Sequence, residues 1–512
     1  MIRYLSRNLP IYYYYTFAFV FSWLFLGILF DNQIYKFNTL PVVIYLFAWI
    51  FVTSCIFKVL NHTENFLIRW EKPLLTASLL ALFLIQLFFG YQLAIETAWD
   101  TEAVYKGAVS LATTGNLGGY SDYFHIFPHN LGSTTILSLL FSVSNVMGIS
   151  DYYLIGTVYN VLSIVMGIFF VYLICRELRG LKVAFLSLWL CASCITLYFY
   201  TPVIYTDTLS FPFVPFLYYL YLRLLKQTTF KKRLISSAVF GLFCALGALI
   251  KFTVVIVAVA ILIDIILRRK TKDNWYAIII AIIVFTSTTT AFDIYRYGSV
   301  LDKDVSDQKR VPYTHWMMMG LTGDGAYNGA DYEYTYTYTT QEQRVEANLI
   351  RIQERLNNYG VQGYLEFINR KQQLNFGSGI YGVNEIIDDN PIRPNILHNF
   401  GLDTGKHFET FKNSAQGYHI FIFMLIILSA LHDAASKTPR AINILAARLA
   451  IAGIYLFLML WEGNSRYIIN FIPIFIIAAA FGFPDIYKIL AAIKHALTDA
   501  LRHSETSNNT GA

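Results

Sequence analysis

The sequence holds 512 residues, 56% of them hydrophobic and 17% aromatic, with charged side chains at only 14% of positions. That composition excludes a water-soluble globular protein, which would have to expose far more apolar surface than water tolerates. The formal net charge of +6 is not a nucleic-acid footprint either, because the basic residues fall in short loops between apolar segments.

About 20 consecutive apolar residues cross the roughly 30 Å hydrocarbon core of a bilayer. Twelve segments of that character follow one another, at 11–30, 40–60, 74–95, 152–175, 183–200, 208–225, 234–250, 252–268, 276–295, 417–433, 441–461 and 465–483. The first is followed by no small-residue cleavage site, so it reads as a retained span rather than a signal peptide. The expected fold class is an all-α polytopic membrane protein of about 12 transmembrane helices. With the N-terminus cytoplasmic, the loops Lys58–Lys72, Arg176–Lys182, Lys226–Arg233, Arg268–Asp273 and His432–Arg440 face the cytoplasm, as does a tail carrying Lys488, Lys494 and Arg502. Nearly every one is basic, the positive-inside pattern of a multi-pass plasma-membrane protein with both termini cytoplasmic. The apolar segment Leu131–Met147 is short and follows Pro128-His129-Asn130. Counting it as a span would invert every later loop, so it is expected to lie at, or dip into, the outer interface as a juxtamembrane helix.

All five cysteines, Cys55, Cys175, Cys191, Cys194 and Cys244, fall inside apolar segments, which implies no disulfide framework. The Cys191–Cys194 spacing reads as two small packing residues rather than a metal or redox pair, since no partner ligands lie nearby.

This topology divides the chain into N-terminal spans (1–95), an extracytoplasmic acidic loop with the juxtamembrane helix (96–150), a transmembrane core (151–295), a small extracytoplasmic domain (296–417), C-terminal spans (418–485) and a cytoplasmic tail (486–512). The 296–417 segment turns polar and rich in Gly, Asn and Tyr. Within it Thr340-Gln-Glu-Gln343 reads as a capping box. The spacing of Val345, Leu349, Ile352 and Leu356 predicts a helix behind that box, with a stop at Tyr359-Gly360. The run Tyr332-Glu-Tyr-Thr-Tyr-Thr-Tyr-Thr alternates with period two, which predicts a short strand or extended loop and makes the domain mixed. Its rings could line a sugar site or form an interfacial belt. No nucleotide-binding, dinucleotide-binding or HExxH pattern occurs.

Charges at a membrane rim are costly and mark function. Asp100 and Glu102 follow the third span, in Trp99-Asp-Thr-Glu102. Asp122, His125, His129 and Asn130 precede the juxtamembrane helix. Asp207 opens the sixth span, Lys251 sits between two spans, and Glu462, Arg466 and Tyr467 occupy the junction of the last two. The topology carries all of them to the outer face. Carboxylates can deprotonate a hydroxyl or hold a metal, while Lys251 and Arg466 can neutralise a phosphate. Asp207 and Lys251 could instead pair with each other and fix helix packing. A divalent metal at Asp100, Asp207 and a nearby histidine is chemically possible, but no spacing demands one, and no other cofactor is expected.

The order of these pieces resembles the GT-C-type membrane glycosyltransferases that use polyprenyl-phosphate sugars, the superfamily of dolichyl-phosphate-mannose mannosyltransferases and aminoarabinose transferases. An acid in the first major outer loop (Trp99-Asp100, with Tyr105 and Ala108) carries the likeness, followed by Phe127-Pro-His-Asn130-Leu-Gly before a juxtamembrane helix. The basic turn at 176–182, the second outer acid Asp207, Lys251, and Glu462-x-x-x-Arg466-Tyr467 with Pro473 complete it. Two features depart from the family pattern: two extra spans precede the acidic loop, and the acidic motif is Asp-Thr-Glu rather than an adjacent acid pair.

The resemblance implies a GT-C-like fold, a bacterial source and transfer of a hexose from a donor such as undecaprenyl-phosphate hexose. The acceptor would be an extracytoplasmic glycan, glycolipid or protein. Asp100, with Glu102 and Asp207, would be the catalytic set and Asp100 the base of an inverting displacement. Lys251, Arg466 and Tyr467 would hold the donor phosphate, and Asp122, His125, His129, Asn130 and Glu462 would bind substrate. Partners would be the lipid-linked donor, the acceptor and membrane lipid. The alternatives are a lipid-linked-glycan flippase or secondary transporter, or a polysaccharide polymerase or ligase.

Overall fold

The computed structural model describes residues 2–31, 34–268, 272–387, 391–436 and 444–509. The expected basic loops at 268–273 and 432–440, the start of the expected 441–461 span, and residues 510–512 of the tail lie partly or wholly outside them. Where no water reaches, backbone N–H and C=O groups must be satisfied within their own segment, so apolar sequence of this kind folds as helices. Among the described residues nine helices are long and apolar enough to cross a membrane: Ile11–Phe30, Thr39–His62, Glu64–Gln92, Tyr152–Arg179, Thr206–Leu225, Phe230–Ile250, Trp275–Val300, Phe408–Ala435 and Ser465–Ala492. Three further segments expected as spans form shorter apolar helices, Leu181–Ser193, Val254–Leu267 and Leu445–Leu460. The first of these stops at Cys194, whose ψ of 82° leaves the helical region, and resumes as the short helix Thr196–Phe199.

Burial grades across the bundle. The apolar stretches of Ser465–Ala492 and Phe408–Ala435 are 89% and 78% buried, against 6% for Trp275–Val300, so the first two form the axis on which the others pack. Helices close up where small residues stand. A Cβ on Gly241 would lie 2.3 Å from the carbonyl oxygen of Ala281, and one on Gly132 would lie 1.9 Å from that of Leu249. The second contact fastens the Leu131–Val146 helix, which also packs along Trp99–Thr114, to the end of Phe230–Ile250.

Parts of the segments 96–150 and 301–387 pack against the bundle end where Asp207, Lys251 and Arg466 stand. No strand occurs among the described residues; the one isolated bridge joins Ile95 and Pro391. The described part of the domain expected to be mixed is therefore helical, and the tyrosine run begins inside a helix, Gly329–Tyr336, and leaves it at Thr337. A period-two alternation also repeats at i+4, so Tyr332 and Tyr336 meet on one helical face at 4.7 Å between ring centroids. Asn328 caps this helix by accepting from the Asp331 amide at 3.1 Å. The capping box forms as expected, with Thr340 and Gln343 each accepting from the other's backbone amide at 3.3 Å. The helix behind it breaks at Gly360 (φ 57°) and then continues to Phe376, carrying Lys371–Phe376 into buried surroundings.

A polar core holds this layer together. Arg355 donates to both carboxylate oxygens of Asp331, at 3.0 and 2.5 Å, and to the Met318 carbonyl at 2.6 Å. Thr322 donates to Asp331 at 2.6 Å, and Thr335 to Asn348 at 3.1 Å. Removing one partner of a buried pair strands the other charge. Asp331→Ala is therefore expected to destabilise the protein by about 3 kcal/mol, read by chemical denaturation in detergent micelles, with Asp331→Asn costing less.

Candidate functional site

Asp100 stands in the first turn of the Trp99–Thr114 helix. The residue before it, Trp99, has a positive φ of 51°, and its side chain is 86% exposed. Tyr123 donates its hydroxyl to one carboxylate oxygen of Asp100 at 2.8 Å, and Tyr205 donates to the other at 3.3 Å. Asn130 in turn donates to the Tyr123 hydroxyl at 2.6 Å. The acid is thus held by two phenols while its side chain stays 42% exposed.

Asp207 opens the short helix Thr206–Leu209, and Lys251 ends the helix Phe230–Ile250. The two form a buried ion pair, in which the second carboxylate oxygen of Asp207 has no hydrogen-bond partner. Arg466 lies in the 3-10 turn Ser465–Phe471, its amide fixed at 3.0 Å by the Asn464 side chain. Its guanidinium rests over the rings of Tyr205 and Tyr467, at 5.3 and 5.6 Å, and reaches to 4.0 Å from the Asp100 carboxylate. The Lys251 ammonium lies 5.2 Å from the Tyr467 ring centroid. Asn470 binds the three segments by donating to Ser210 and Thr253, each at 3.1 Å.

Side-chain exposure rises along this row, from 0% at Asp207 and 12% at Lys251 to 20% at Arg466 and 42% at Asp100. The Asp207–Lys251 pair is therefore a buried brace, and Arg466 and Asp100 are the charges a bound molecule reaches. The Arg466 Nε is buried and unpartnered, an N–H with bonding capacity to spare.

The structure separates the remaining expected residues. Glu102 turns to Lys106 (2.6 Å) and Tyr120 (3.1 Å), and the Lys106 ammonium holds its carboxyl below the usual range. Asp100 and Glu102 are two apart on a helix, so they face different ways. Asp122 is exposed and pairs with Lys309 at 2.9 Å. His125 is buried and donates from Nδ1 to the Ser121 carbonyl at 2.8 Å. His129 is exposed, its ring 6.1 Å from Phe127. Asn130 joins the site through Tyr123. Among the described residues, no three of His, Cys, Asp and Glu gather in a way that could hold a metal ion.

Glu462 is buried, and Tyr467 donates to it at 3.4 Å. Burial pushes its carboxyl up to about 7, against the pull of Arg466. Close behind it lies a residue that sequence reasoning missed. Lys371, fully buried, donates to the Gly320 carbonyl, and burial brings its ammonium down to about 7, against the pull of Glu462. In Asn369-Arg-Lys371-Gln-Gln373 it looks like part of a solvated charged face. Tyr123 and Tyr205 were missed too, because phenols carry no motif.

The two titrations act on stability with opposite signs. Between about 4.5 and 7 the folded chain keeps the Glu462 proton that the unfolded chain loses, so stability falls as pH rises. Between about 7 and 10.5 the unfolded chain keeps the Lys371 proton that the folded chain lacks, so stability rises with pH. Denaturation measured from pH 5 to 9 is expected to show a minimum near neutrality. Glu462→Gln should remove its acid limb, and Lys371→Met its alkaline limb.

Residues 5–487 match a family model described as "conserved hypothetical integral membrane protein". No curated protein matches the chain. Among solved structures it is similar to the archaeal oligosaccharyltransferase AglB from Archaeoglobus fulgidus, in complex with an inhibitory peptide and a dolichol-phosphate. That match has 13% identity over 84% of this chain and 52% of that one, with a TM-score of 0.41; the chain thus spans about half the length of AglB. It is also similar to ArnT from Cupriavidus metallidurans, in the apo state (10% identity, 80% and 78% of the two chains, TM-score 0.37) and bound to undecaprenyl phosphate (9%, 80% and 78%, TM-score 0.34).

Proposed function

We propose that this chain, which belongs to the "conserved hypothetical integral membrane protein" family, is a membrane glycosyltransferase that moves a sugar from a polyprenyl-phosphate donor to an extracytoplasmic acceptor. The observation that carries the reading is the approach of Arg466 to 4.0 Å from Asp100, at a membrane-helix end where the Asp207–Lys251 pair neutralises itself. A base and a cation that meet there suit a displacement at a carbon bearing a phosphate leaving group. The basic loops at the opposite ends of the helices support an outward-facing site, with both termini cytoplasmic.

Asp100 takes the proton of the acceptor hydroxyl, and the freed oxygen attacks C1 of the sugar from the face opposite the phosphate. The new glycosidic bond forms as the C1–O bond breaks, with inversion, and the lipid leaves as its phosphate monoester. Arg466 meets the charge that grows on the leaving oxygen, while Lys251, neutralised by Asp207, serves to brace the turn that carries Arg466. Tyr123 and Tyr205 orient the Asp100 carboxylate. Glu102, turned to Lys106, takes no part in this reading.

The alternative of a proton-coupled transporter would instead place its charged site at the bilayer midplane. A polymerase or ligase would differ in its donor, a long glycan on pyrophosphate.

The test is transfer by the purified protein from a panel of polyprenyl-phosphate sugars. Asp100→Asn is expected to lower turnover about 10²–10⁴-fold and Arg466→Met about 10²–10³-fold, with protein abundance unchanged. Full transfer by the Asp100→Asn protein would sink the assignment.

A further inference from the structure

From the Asp100 carboxylate a line of rings leads away across three separate parts of the chain. It begins at Tyr123, the phenol bonded to Asp100, and passes to Phe127 at 5.1 Å between centroids. Phe127 meets Trp316 of the overlying layer at 6.2 Å. Trp316 stacks on Trp461 at 6.4 Å with 24° between the planes, and Trp461 stacks on Phe457 at 5.3 Å. All five rings are half-buried, so each keeps part of its surface accessible. Core aromatics would be covered, and belt aromatics need not touch one another.

Trp99 adds a second observation. A bulky side chain at positive φ carries strain of order 1–3 kcal/mol, and at 86% exposure the indole recovers none of it by burial. The strained backbone turns the ring outward beside the carboxylate. Strain of this sort is kept where a side chain is positioned for something outside the fold.

We propose that this track binds a carbohydrate chain, and that the acceptor is therefore a glycan whose end hydroxyl is delivered to Asp100. The proposal rests on the glycosyltransferase reading for its direction, but not for its binding surface. The electron-rich face of an aromatic ring attracts the polarised C–H groups on the flat side of a pyranose. A row of partly accessible rings that leads to the exposed Trp99 indole suits a polymer of pyranoses, with the exposed His129 beside Phe127 offering nitrogens to sugar hydroxyls. An acceptor peptide would be better served by a strand edge to extend, and the described residues contain no strand.

The experiment measures binding without donor, by tryptophan fluorescence of the full chain in nanodiscs. Probes are hexasaccharides of α-glucan, β-glucan, mannan, galactan and rhamnan, their trisaccharides, and a Gly-Ser hexapeptide. At least one hexasaccharide is expected to quench emission and to bind about tenfold tighter than its trisaccharide. Trp316→Leu should weaken that binding about tenfold, and Trp99→Leu, a change at an exposed position that spares the fold, several-fold. Binding of none of the glycans, binding of the peptide alone, or unchanged affinity in both tryptophan variants overturns the proposal. Glycan binding together with undiminished transfer by Asp100→Asn would instead remove the catalytic reading and leave the track standing.

Discussion

A charge in a region without water survives only beside its opposite, and the Asp207–Lys251 pair is where this chain meets that constraint. One partner begins a helix and the other ends one, so the pair ties two helix ends that are 44 residues apart in sequence. The turn carrying Arg466 is laid against this brace, held by Asn470 on one side and by the tyrosine rings on the other. Take away the pair and Arg466 loses the surface that aims it at Asp100. The placing of Arg466 beside Asp100 is thus a secondary product of solving an electrostatic problem.

The site then grades from dry to wet. At its base the charges cancel and are unreachable; at its mouth a carboxylate is gripped by phenols and open to solvent. Glu462 and Lys371 form a separate buried couple under the overlying layer, joined to the main row through Tyr467. Burial raises the acid and lowers the base, so keeping the two under the layer costs the fold most stability near neutrality.

Much of this was legible in the residues. The long spans announced themselves by composition, because lipid leaves an apolar segment no other fold. Leu181–Ser193 is shorter than expected because hydropathy does not register the bend at Cys194. The tyrosine alternation was read as extended since a period of two fits a strand, yet it fits i, i+4 equally, and the Asn328 cap decides for helix. Asp100, Asp207, Lys251 and Arg466 were singled out because charges beside apolar segments are rare and therefore conspicuous, and the structure brings the four side chains into one row. Lys371 was not, since its burial is set by Gly320 and Glu462, 51 and 91 positions away in the chain. Glu102 was given a role that its position two residues from Asp100 on a helix already argued against.

The contact between Gly132 and the Leu249 carbonyl has a bearing on timing. With no room even for a methyl group, the Leu131–Val146 helix and the helix that ends at Lys251 cannot slide past one another. The phenol-held acid rides on the first body, through Asn130 and Tyr123, and the ammonium on the second. Their separation is therefore set when the chain folds, and on the proposed function a substrate would meet a geometry already made rather than one it must assemble.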